Sequence, residues 1–128
     1  MVEILVRYEG DLHTRATHGP SASEIETDAP KDNEGRGERF SPTDLLAAAL
    51  GSCMLTVMGI VARRHGWDLA GARARVEKHM ATAPVRRISR LVVDFEMPPL
   101  PESARASLER AAHTCPCLLY TSDAADEL

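Results

Sequence analysis

One apolar run constrains this chain more than any other feature. From Ser41 the sequence reads SPTDLLAAALGSCMLTVMGI, and residues 45–62 are apolar or small on nearly every side, with Cys53 near the middle. Pro42 suits the first turn of a helix, with Ser41 as N-cap and Asp44 beside the positive end of the dipole. The helix is predicted to run to about His65, where Gly66 stops it. A helix apolar all round is either central to a core or crosses a membrane. Spanning a bilayer takes about 20 predominantly apolar residues, and Gly51, Ser52, Thr56 and Gly59 dilute this run. A buried helix is expected.

Around it the periodicity is that of strands. Val2, Ile4, Val6 and Tyr8 alternate with Glu3, Leu5 and Arg7, which reads as a strand. Glu9–Asp11 is predicted as a turn into a second strand, LHTRATH, and SASEIETD supplies a third. Residues 29–40 are charged and aperiodic, as in an exposed loop. Ala72, Ala74 and Val76 alternate with Arg73, Arg75 and Glu77, and Leu91, Val93, Phe95 and Met97 share one strand face. After PPLPE, a short helix carries Ala104, Leu108, Ala111, Ala112 and Cys115 on one stripe. Three strands, a helix, two strands and a helix imply an α+β fold.

At 128 residues, one domain can bury a core without disulfides or a structural metal. A formal charge of −4 gives no general attraction to nucleic acid or acidic membranes. Glu3 and Arg7 interrupt what would have to be the apolar part of an export signal. Three cysteines in an unexported chain point to reduced thiols, and a cytoplasmic location is expected.

Cys53 and Cys115 are the residues best suited to chemistry. Each could be a small buried hydrophobe. Two helices of one small domain could equally bring the thiols together. A thiolate attacks the O–O bond of a peroxide and becomes a sulfenic acid, which a second thiol condenses to a disulfide. Burial opposes ionisation of the first thiol. Cys53 is about three turns into its helix, beyond reach of the dipole, so an arginine must come from elsewhere in the fold.

FSPTDLLAAALGSCMLTVMGI and the later AAHTCP resemble the two cysteine motifs of the OsmC/Ohr superfamily, the osmotically inducible and organic hydroperoxide resistance proteins. The layout matches over residues 1–116. The resemblance implies a thiol-dependent peroxidase of the oxidative-stress response, an intertwined homodimer that reduces organic hydroperoxides. It implies Cys53 as peroxidatic and Cys115 as resolving cysteine, an external dithiol as reductant, and no bound cofactor. It also implies an activating arginine on the N-terminal strands, with Arg15 the candidate ahead of Arg7 and Arg39. Where better-known members carry a glutamate that holds this arginine, the chain has Thr43, and the adjacent Asp44 is expected to serve. The substitution makes a non-catalytic or weakly active OsmC-like domain the main alternative. Residues 117–128, CLLYTSDAADEL, are an atypical tail resembling translated sequencing adapter, where the family continues into a final strand.

Two further readings are weaker. HTCPC offers His113, Cys115 and Cys117, with Cys53 as a fourth metal ligand, but Cys-x-Cys without any Cys-x-x-Cys is poor zinc spacing. No metal is expected. Arg73, Arg75, Lys78, Arg86, Arg87 and Arg90 could form a basic face, yet no stacking aromatics accompany them as in single-strand binders. The remaining histidines, including His13, fit no nucleophile–base spacing.

Overall fold

The computed structural model describes residues 1–118; the tail from 119 onward lies outside the described residues. The chain divides into two compact units, Met1–Leu46 and a second from Ala47 onward.

In the first unit, β1 (Ile4–Gly10), β2 (His13–His18) and β3 (Glu24–Asp28) form an antiparallel meander in that order. Arg7 pairs with Arg15, and His13 with Asp28. The β1–β2 turn falls one position later than predicted. Gly10 faces His13 across the two residues Asp11 and Leu12, whose φ angles are 53° and 60°. Two successive left-handed residues match the twist of a tight hairpin. The side chains of Ile4, Leu5, Val6 and Tyr8 are exposed on both faces of β1.

Helix α1 (Pro42–His65) has the predicted bounds. Ser41 and Asp44 form a reciprocal cap: Asp44 N–H donates to Ser41 Oγ at 3.1 Å, and Ser41 N–H to Asp44 Oδ2 at 3.1 Å. Two backbone donors left over at a helix start are thereby satisfied. Gly66, at φ 72°, ends the helix as glycine does at low steric cost.

The second unit adds the antiparallel pair β4 (Arg73–Ala81) and β5 (Arg87–Glu96), then α2 (Glu102–Ala112). Its core joins Leu50, Met54, Met58 and Ala62 of α1 to Ala104, Leu108, Ala111 and Ala112 of α2, with Cys115. Leu91, Val93 and Phe95 of β5 pack against it, the strand face expected from alternation. Gly51 lets β4 approach α1: a Cβ there would stand 2.8 Å from Val76 Cγ2.

The expectation of a helix buried all round is corrected. The 24-residue α1 contains an 18-residue window of mean hydropathy 2.2, long and apolar enough to cross a membrane, a test that core helices also pass. Within one chain it buries a single face, through Ala47, Leu50, Gly51, Met54, Met58 and Ala62. Leu46 and Ile60 are each 47% exposed, and Ala49, Ser52 and Thr56 are exposed on the same side.

Candidate active site

Cys53 shares the side of α1 that carries Leu46 and Ile60 and is half-buried. It packs against the core of the second unit. Cys115 comes from the chain after α2, which corrects its placement on the α2 stripe. Pro116 cannot continue that helix, because its ring would meet the carbonyl of Ala112 four residues back. Instead Thr114 N–H donates to Ala111 O at 2.9 Å, and the Thr114 hydroxyl closes on the same carbonyl at 2.7 Å. A new helical turn then opens at Pro116, a residue suited to a first helical position.

This turn fixes Cys115 where the stripe pattern predicted, within the core and with no solvent exposure. Burial pushes the Cys115 thiol up, the neighbouring Cys53 thiol adds to the rise, and the backbone N–H groups of Cys117 and Leu118 oppose it. Cys117 is exposed, and the sulfurs of Cys53, Cys115 and Cys117 all lie within 4.8 Å of one another. A disulfide needs sulfurs about 2.05 Å apart, a closure within the swing of cysteine side chains. The imidazole of His113 is not part of this cluster.

The other predicted residues lie in the first unit. Arg15 Nε is 3.2 Å from Glu9 Oε2, Nη1 3.4 Å from Glu24 Oε1 and Nη2 3.1 Å from Glu26 Oε1. Arg39 Nε is 3.6 Å from Glu26 Oε2. Asp44 caps α1 as described, and the Thr43 hydroxyl is 3.2 Å from Ser41 Oγ.

Sequence reasoning missed His13. Its Nδ1 is 2.5 Å from Oδ1 of the buried Asp28, and its Nε2 is 3.0 Å from Glu26 Oε1 and 3.5 Å from Glu9 Oε1. The hydrogen bond to Asp28 raises the His13 pKa most, against the cost of desolvation, with Glu26 adding to the rise. The same bond holds Asp28 below the usual carboxylate range, and His13 likewise lowers Glu26. The available signal was period two: His13 and Arg15 on one strand opposite Glu26 and Asp28 on the next. On the second sheet, the basic side chains are partly matched, Arg73 with Glu96 and Arg75 with Glu77 at 3.4 Å.

A thiol pair joining a long central helix to the turn after a second helix, beside antiparallel strands, defines a cysteine-centred α+β domain. The family model described as OsmC-like protein matches residues 35–125. The chain belongs to this OsmC-like family. It is similar, at 46% identity and a TM-score of 0.88, to a protein of Psychrobacter arcticus 273-4 provisionally assigned to osmotic stress induction and the detoxification response. That match covers 94% of this chain and 88% of the other. An organic hydroperoxide resistance protein OsmC from Legionella pneumophila shares the fold at 15% identity and a TM-score of 0.74, over 94% and 88% of the two chains. The organic hydroperoxide resistance protein OhrB of Bacillus subtilis does so at 16% identity and 0.66, over 94% and 90%. A comparison with curated protein sequences gives no match.

Proposed function

We propose that this protein is a thiol-dependent peroxidase that reduces organic hydroperoxides. The observation that carries the reading is the Cys53–Cys115 pair: one residue half-buried, the other enclosed, with their sulfurs within 4.8 Å of each other. The Cys53 thiolate attacks the outer oxygen of ROOH, the O–O bond breaks, and the alkoxide leaves to take a proton and become ROH. Cys53 is then a sulfenic acid. The Cys115 sulfur displaces its hydroxyl, forming the Cys53–Cys115 disulfide and releasing water. An external dithiol restores both thiols by two successive exchanges. No bound cofactor enters this cycle.

Asp44 and Arg15 are assigned to positioning and activating Cys53, as the resemblance implies. A guanidinium already shared by Glu9, Glu24 and Glu26 projects little net positive charge. Arg15 would have to exchange one of these carboxylates for the thiolate. A homodimer in the cytoplasm is the proposed setting. Ile4, Leu5, Val6 and Tyr8 on β1, and Leu46 and Ile60 on α1, are large apolar side chains left exposed by a single chain, which supports a second copy that would cover them.

The test is turnover. With excess dithiol, the purified protein should consume many equivalents of cumene hydroperoxide, with Cys53 required. A rate no greater than that of an ordinary exposed thiol would favour the non-catalytic alternative raised by Thr43.

A further inference from the structure

The basic residues of the second sheet are not spread evenly along their hairpin. Where β4 begins and β5 ends they are matched: Arg73 pairs with Glu96, and Arg75 Nη2 is 3.4 Å from Glu77 Oε2. Towards the turn the balance changes. The run from Lys78 to Val93 holds Lys78, Arg86, Arg87 and Arg90 and no aspartate or glutamate, in a chain of formal charge −4. Glu77, the acid just before this run, is engaged by Arg75 and by His79 Nε2 at 3.3 Å. The turn itself, residues 82–86, is exposed throughout, and within it Val85 is 63% exposed. The Arg87 guanidinium donates to the carbonyls of Ala83 and Val85. These neutral acceptors fix Arg87 at the turn and leave its charge uncancelled. We infer that this end of the hairpin docks the protein on an anionic lipid surface, with Val85 entering the interface and the cations beside it meeting the headgroups.

The observations favour lipid over other polyanions. Clustered lysines and arginines gain about fivefold in affinity for an anionic leaflet per charge. An apolar side chain among them adds burial at the boundary between headgroups and acyl chains. Long arginine stems keep their charge among the headgroups while the tip enters. A nucleic acid would feel the same charge, but no Phe, Tyr or Trp lies between Lys78 and Asp94 to stack on its bases. A basic cluster without a lipid anchor gives reversible attachment, sensitive to salt. The surface contains no thiol, so it goes beyond the peroxidase reading and is tested apart from it.

The experiment sediments the reduced full chain with vesicles of phosphatidylcholine alone and of equimolar phosphatidylcholine and phosphatidylserine, at low and at raised salt. Binding should occur with the mixed vesicles only and should fall as salt rises. Arg86→Gln and Arg90→Gln should each weaken it about fivefold, and the two together about 25-fold. Val85→Ser should weaken it without altering the salt dependence, a result that a purely electrostatic contact would not give. All three positions are exposed, so these variants should fold. No binding, equal binding to both kinds of vesicle, or charge variants indistinguishable from wild type would overturn the inference. So would capture of a single-stranded oligonucleotide in place of the mixed vesicles. Turnover of cumene hydroperoxide without vesicles should be unchanged in all the variants. Failure of the docking surface and failure of the peroxidase reading are thus separate results.

Discussion

The sulfur of Cys115 lies within 4.8 Å of that of Cys53, the first residue wholly enclosed and the second half-buried. On the proposed peroxidase reading, this asymmetry fits different tasks for two identical groups: the less buried thiol would meet the oxidant, and the enclosed one would condense with the sulfenic acid it forms.

The first prediction separates these tasks. Cys53→Ser abolishes hydroperoxide turnover. Cys115→Ser leaves a single reaction per chain and accumulates Cys53 as sulfenic and then sulfinic acid, because no second thiol intercepts it. Intact-mass measurement after one equivalent of hydroperoxide checks both. Equal, slow reaction of the two variants and wild type would contradict the assignment.

The Asp44 carboxylate has two candidate tasks, and the helix cap tests one of them. Ser41→Ala removes the buried oxygen that accepts Asp44 N–H and should cost about 1 kcal/mol, within the usual range for a lost N-cap. Asp44→Asn keeps an oxygen for Ser41 N–H and loses mainly the charge–dipole contribution, about 0.3–1 kcal/mol. If Asp44 also positions the activating arginine, this variant loses activity far beyond that small change. Denaturation midpoints and peroxidase rates of the two variants resolve the roles.

Close packing of α1 on β4 predicts a paired effect. Gly51→Ala improves helix propensity by about 1 kcal/mol, but the new methyl meets Val76 Cγ2 at 2.8 Å. Overpacking costs about 1–3 kcal/mol, and the stiff β-branched side chain of Val76 yields little, so net destabilisation is expected. Adding Val76→Ala should relieve the clash, making the double variant more stable than the sum of the single effects. Simple additivity in thermal unfolding would show that the contact is unimportant.

The charged network of the first unit predicts a pH window. The pKa of His13 is raised above its usual 6.5, so its contribution is complete below 6.5 and is lost as pH climbs through the raised value. That of Asp28 is lowered below its usual 3.8, so its contribution is present above 3.8 and is lost as pH falls through the lowered value. The link between β2 and β3 is therefore strongest in mildly acidic solution. NMR titration should find His13 protonated at a pH where an exposed histidine is neutral. In His13→Gln, the contribution of this link to stability should no longer fall on the alkaline side.

The elements were legible where a signal lay within one segment. Pro42, Asp44 and Gly66 marked α1, and the spacing of Ala104, Leu108 and Ala111 marked the face of α2. The proximity of Cys53 and Cys115 was also legible as a possibility. Cys115 sat beyond its expected helix because Pro116 forbids the Ala112 hydrogen bond, while the three- and four-residue spacing still pointed its side chain inward. The His13–Asp28 contact was hidden because it depends on strand register, which a shift of one residue would have reversed. The exposed side of α1 was hidden too, since hydropathy alone does not say which side a single chain covers.

The most direct test maps the cysteines of the fully reduced protein by mass spectrometry after one equivalent of cumene hydroperoxide, with Cys117→Ser run in parallel. A rapid Cys53–Cys115 disulfide in both proteins is the predicted result. Unreacted thiols in a folded chain, or oxidation confined to Cys117, would contradict the account.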